Sequence, residues 1–400
     1  MLVRPLATLL LASSVSVTAF TAAWAVDAQQ AAERLRELSA RQGGTLTWSA
    51  VEEAGGKITL KGVTSTAPDV KDPIALGDLT LEDVEEGDNG DYTVGTLTMP
   101  GFSTVTEGIT FSMEGIEVSG AVLPAPTSTD VVNQSGFFDS LDVASVKVEK
   151  EGKQLFTMSD FSYGMEKSDD GRTVAFAGSA DAFTADMSAS GGDPQTTAML
   201  AALGLSQPKG SFEMSGEWAS AEGRVALEQM DVTVDNAGTI GLTFDISGIT
   251  EDFVKASQEL QKTLSTGTEE QKSAANMAMM GLMQQLSIAG ASLRYDDDSL
   301  AGRALDIAAG VQKMQRSDMA KMAQMMIPAS LAAYTKPEFA KAVATEVAKF
   351  IENPQSLEIV AAPPAPVPFM QIGMSAMSAP QNVPDQLGIK VTANQEAEEE

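Results

Sequence analysis

"TIGLTFDIS", residues 239 to 247, decides the fold. Ile240, Leu242, Phe244 and Ile246 alternate with Gly241, Thr243 and Asp245. Period-two alternation places the four apolar side chains on one face of a β-strand. Just beyond, the period changes. Thr250, Glu251 and Asp252 read as the opening of a helix whose Phe253, Leu260 and Leu264 share one side. The chain therefore divides near Ile249 into an alternating part and a largely helical part.

Upstream of that boundary the same alternation runs back to Thr45. "KITLKG" directs Ile58 and Leu60 one way and its lysines the other, and "GITFSME" does the same with Ile109, Phe111 and Met113. "DLTL" at 78–81 recurs as "DFSY" at 160–163 and "DVTV" at 231–234. Each is followed by an acidic or glycine-containing turn and another alternating strand, so residues 45–249 read as a β-rich region of repeated hairpins. "EEGDNGD" and "KSDDGR" supply the Asn, Asp and Gly that tight turns need. Residues 121–136 and 189–210 read as loops or joints, with "TTAMLAALGL" a candidate short helix in the second. Before the hairpins, residues 26–44 form an N-terminal helix that ends at "QGG".

Downstream, 250–353 reads as a helical module holding one strand, 286–295. "TEEQ" (268–271) and "TKPE" (335–338) are capping boxes, Ser317 caps a further helix, and Pro328 ends or kinks it. In "ASLRYDDDSLAGRALDIAAG" (291–310) three aspartates stand between strand and helix, where Asp298 can cap exposed backbone N–H groups. Their spacing does not fit a calcium loop, which needs oxygens distributed around a turn with a later glutamate. Residues 354–378 give a strand and a proline-rich return, and 379–400, ending "NQEAEEE", read as a disordered acidic tail. The expected fold class is α+β: a long curved antiparallel sheet of repeated hairpins with a C-terminal helical module packed on it.

Composition narrows function. The chain has no cysteine and no histidine, which excludes a Ser-His-Asp triad, a Cys-His pair and His/Cys zinc sites. Carboxylate or Ser-Lys chemistry stays formally open, but no motif places such groups together. The first 25 residues combine a basic "MLVR", an apolar "PLATLLLASSVSVTAF" and an A-x-A site at "AWA". That is the pattern of a signal peptide cleaved after Ala25, so the expected address is the periplasm. No later apolar stretch has the length of a membrane span. The formal charge of −29 repels nucleic acid.

The segments "DLTL", "MDVTVDNAGTIGLTFDISGIT", "LRYDDDSLAGRALDIAAG" and "NPQSLEIVAAPPAPVPFMQI" occur in that order after an exported start. This arrangement resembles uncharacterised envelope proteins of Gram-negative bacteria, the YdgA-like and AsmA-like periplasmic proteins, over residues 45 to 375. The resemblance implies an elongated β-rich body tied to envelope maintenance and lipid handling, and supplies no catalytic motif. The chain departs from AsmA-like proteins in its cleavable-looking start. The leading expectation is a non-enzymatic protein, without a cofactor, that binds a lipid-like ligand on an apolar face. That face would be formed by Ile240, Leu242, Phe244 and Ile246 together with the stripe Met319, Met322 and Met326. An envelope scaffold is the alternative. A third reading takes the clusters "NMAMMGLM", "DMAKMAQMM" and "FMQIGMSAM" as soft thioether ligands for Cu(I).

Overall fold

The computed structural model describes residues 26–66, 72–87, 89–190 and 193–396. The expected signal peptide lies outside them. Helix α1 (Ala28–Arg41) opens the described chain; the Asp27 carboxylate accepts from Gln29 N–H at 2.9 Å and Gln30 N–H at 3.1 Å. Two short strands, β1 (Thr45–Thr47) and β2 (Ala50–Ala54), lead to β3 (Lys57–Thr66), β4 (Ile74–Glu86), β5 (Tyr92–Thr106) and β6 (Ile109–Leu123). A single-turn α2 (Val131–Gln134) precedes β7 (Ser140–Lys150), β8 (Lys153–Lys167) and β9 (Thr173–Ala185). The "TTAMLAALGL" stretch is helical within α3 (Pro194–Ala202), ahead of β10 (Lys209–Ala219), β11 (Arg224–Val234) and β12 (Gly238–Ser247).

The period change at residue 250 is real. Helices α4 (Glu251–Thr266) and α5 (Glu269–Met283) follow, then β13 (Ser287–Asp297), α6 (Leu300–Gln312), α7 (Arg316–Leu331) and α8 (Pro337–Glu352). The chain returns through β14 (Ser356–Ala361), β15 (Val367–Pro368), α9 (Phe369–Ser378), α10 (Val383–Gln386) and β16 (Ile389–Ala393). Among the described residues sixteen strands make one antiparallel sheet, ordered β1-β3-β4-β5-β6-β7-β8-β9-β10-β11-β12-β13-β14-β16, with β2 on β3 and β15 on β13. From β3 to β13 neighbours in sequence are neighbours in space, as repeated hairpins require.

Part of the segment expected as a disordered tail, 379–400, is in regular structure, while residues 397–400 lie outside the described residues. Residues 389–393 pair with β14, Leu357 facing Ala393 and Ile359 facing Val391. The acidic ending dominates the composition of the segment, yet Ile389 and Val391 supply a period-two pattern just before it. Three cap assignments also change. Thr250 and Thr268 cap α4 and α5 as expected. Helix α7 starts at Arg316 without a side-chain cap, runs through Pro328 to Leu331, and leaves Ser317 inside it. Thr335 donates back to Leu331 O at 3.2 Å, so α8 starts on Pro337 alone.

The opening of α6 is capped by Asp297, not Asp298. The Asp297 carboxylate accepts from Ala301 N–H at 2.7 Å, Gly302 N–H at 3.3 Å and the Tyr295 hydroxyl at 2.8 Å. Asp296 receives the Arg294 guanidinium at 2.7 Å on both oxygens, and Asp298 is exposed. A residue in the left-handed region, Ser299 at φ 88°, separates strand from helix. It turns the helix back so that the aspartate two positions upstream reaches its free N–H groups. Asp297→Ala is expected to cost about 1–2 kcal/mol, and Asp298→Ala less than about 0.5 kcal/mol. Urea midpoints of the two variants check this; equal shifts would refute the assignment.

Candidate binding face

In an antiparallel pair, directly opposed residues project to the same side of the sheet. One register row can be followed from β5 to β16 on that basis. Met99 faces Ile116, Ile116 faces Val143, Val143 faces Phe161, and Phe161 faces Ala180. Ala180 faces Phe212, Phe212 faces Val232, and Val232 faces Ile240. Ile240 then faces Tyr295, Tyr295 faces Leu357, and Leu357 faces Ala393. Every position in the row is apolar or aromatic, so the sheet has one continuous apolar side.

Strict alternation would keep one parity of residues on this side along a whole strand, but the apolar positions change parity partway along the long strands. Here the alternation is broken deliberately. Gly101 (φ 136°), Gly115 (φ 62°) and Asp160 (φ 52°) sit within β5, β6 and β8 in the positive-φ region. Across each, the apolar residues are three apart instead of two: Met99 and Phe102, Ile116 and Met113, Phe161 and Met158. All six pack in one cluster around buried Val143 and Val146. The conformation acts as a bulge, which bends the strand and returns the next apolar residue to the same face. Phe102 and Phe111 lie 6.0 Å apart between ring centres, and Phe156 and Phe183 stack at 6.3 Å.

Both ends of this side are covered. At one end α1 packs Ala31 and Ala32 onto Leu60, Leu81, Tyr92 and Val94, all buried. The Tyr92 hydroxyl donates to Gln30 Oε1 at 2.8 Å, and Arg34 lies 5.2 Å over its ring. At the other end Phe350 of α8 meets Tyr295 edge-on at 6.3 Å. Burial there pushes the Tyr295 phenol well above its usual value, and its bond to Asp297 adds to the shift.

Away from these covers the apolar face reaches solvent. Ile240 is 52% exposed, Leu293 48% and Ile359 43%. Leu293 and Ile359 belong to the adjoining row Leu242, Leu293, Ile359, Val391. The four β12 residues expected from alternation do share this side, since Ile240, Leu242, Phe244 and Ile246 face Tyr295, Leu293, Ala291 and Ile288. The methionine stripe does not join them. Helix α7 packs against α8 and α6, with Met319 and Met322 half-buried and Met326 turned outward.

Sequence reasoning missed a large share of the face: Phe102, Met158, Phe161, Phe183 and Phe212. The glycines at 101 and 115 carried the signal, because a glycine inside a strand pattern marks a bulge. Two clefts in the described residues are open and polar. One is lined by Lys153, Gln154, Thr184, Asp186, Gln207 and Lys209, the other by residues around Asp130 and Lys167. In the second, burial raises the Asp130 carboxyl, but the bonds from Lys167 and from the Asn133 and Val132 N–H groups outweigh it and hold it below the usual range.

A family model described as "Uncharacterized protein" matches residues 231–394. No curated protein matches the chain. The matched segment starts in β11 and stops one residue past β16, so it takes in the exposed part of the apolar face and the α8 cover.

Proposed function

We propose that this chain is a non-enzymatic periplasmic envelope protein that holds an elongated, lipid-like ligand on the apolar side of its sheet. The observation that carries the reading is the apolar side followed from Met99 to Ala393, covered by α1 and α8, with Ile240 of that row and Leu293 and Ile359 of the adjoining row open to solvent. A monomeric protein rarely leaves a contiguous apolar surface open to water without a use for it. An acyl chain laid along the face would exchange water for contact at about 0.8 kcal/mol per buried CH2. Half-buried phenylalanines and methionines favour such a ligand, because flexible and flat side chains fit chains of differing length.

The periplasmic address rests on the leader-like "MLVRPLATLLLASSVSVTAF" and "AWA". The non-enzymatic reading rests on the missing histidine and cysteine and on the polar, open character of the two clefts. The test is native mass spectrometry of the protein purified from its own compartment without detergent. A reproducible mass excess, released by organic solvent as lipid, is the expected result. It should be lost when Leu293→Asp places a charge in the middle of the open face. A bare mass from gently handled wild-type protein would overturn the ligand reading and favour a scaffold that binds an envelope protein through the same face.

A further inference from the structure

One residue in five of this chain is charged, yet beyond the leader-like start two long runs carry no charge at all: 273–293 and 359–384. The first contains the C-terminal half of α5 and most of β13; the second contains β15 and α9. The fold joins them. Phe369 N–H donates to Leu286 O at 3.1 Å, and β15 pairs with the start of β13. Helix α9 therefore begins where α5 ends.

Apolar side chains on these two helices point to solvent. Met277, Met280 and Met283 of α5 and Phe369, Met370, Met374 and Met377 of α9 are between 37% and 90% exposed. Of the charges that bound the runs, Arg294 and Glu358 pair with each other at 3.4 Å. A molecule with net charge −29 thus presents one neutral, methionine-rich end.

We propose that this α5–α9 end docks the protein on a lipid bilayer whose headgroups are zwitterionic. The charge distribution selects this occupant. An anionic bilayer repels a chain of this charge, and a charged protein partner finds no carboxylate or ammonium in the patch to pair with. A zwitterionic interface has no net charge, and methionine and phenylalanine side chains gain by entering its acyl boundary without any charged group having to be desolvated. Unbranched thioether chains adapt to a fluid surface at little packing cost. The docking goes beyond the ligand reading and stands whether or not the sheet retains a ligand.

The test is flotation of the protein, as the cell produces it, with phosphatidylcholine vesicles. Wild type is expected to float. Met280→Glu on α5 and Met374→Glu on α9 are each expected to lower the bound-to-free ratio about tenfold, since a carboxylate must be desolvated at the interface. Both positions are exposed, so the urea midpoints should stay at the wild-type value; two variants on separate helices guard against one failing to fold. Adding phosphatidylglycerol should weaken binding. The proposal is overturned if wild type stays at the bottom of the gradient, if both variants float as wild type does, or if binding requires anionic lipid. A wild-type dimer that both variants dissociate, without vesicle binding, would also overturn it and assign the patch to a second copy.

Discussion

Gly101→Val is expected to lower the unfolding free energy by about 3 kcal/mol. Gly101 lies inside β5 at φ 136°, where only glycine is unstrained. A Cβ there would stand 2.3 Å from Met113 O and 2.9 Å from Glu114 Cα, both main-chain atoms of the paired strand. Neither can swing aside as a side chain would. The strand would have to straighten, and Phe102 would leave the side it shares with Met99. Gly310→Ala is the control: within α6, with nothing within 4 Å of the new Cβ, it should stabilise by about 0.5 kcal/mol through helix propensity. Urea unfolding of both variants decides the matter. A Gly101→Val midpoint near that of wild type would show that the bulge is not what keeps the apolar side continuous.

Leu81→Ala and Ile240→Ala should differ sharply although both residues belong to the apolar side. Leu81 is 0% exposed beneath α1, and removing it leaves a cavity worth about 3 kcal/mol. Ile240 is 52% exposed, and its truncation should cost less than about 1 kcal/mol in the ligand-free protein. The comparison measures, by chemical unfolding, whether the face is open in solution. A cost at Ile240 close to that at Leu81 would mean that another part of the chain lies over it. A small cost in stripped protein that grows in protein purified with its lipid would match the proposed ligand.

Much of this fold was legible. Alternation in "TIGLTFDIS" placed Ile240, Leu242, Phe244 and Ile246 on one side, and the capping signals at Thr250 and Thr268 located two helix starts. These are local features, set by a few adjacent residues. Three kinds of information were not local. The apolar side stays continuous because positive-φ residues on β5, β6 and β8 fall at matching heights in the sheet, and matching heights exist only once register is known. The capping of α6 passed from Asp298 to Asp297 because Ser299 reverses the backbone. The third is β16, whose short period-two pattern at Ile389 and Val391 identifies a strand only once its pairing with β14 is known. The exposure of Met277, Met280 and Met374 was equally hidden, since helical spacing looks the same for packed and for solvent-facing methionine.

That last strand also sets a schedule. Strands β3 to β13 can each pair with a neighbour made moments earlier, so hairpin can follow hairpin as the polypeptide emerges. Strand β14 must wait for three helices to be synthesised, and β16 for β15, α9 and α10 after that. Until then β13 presents an unpaired edge of backbone N–H and C=O groups, the feature that invites wrong partners. Synthesis that stops short of residue 389 would leave the edge of β14 open for good. Closure of this sheet margin therefore waits for β16, however much of the sheet has already paired.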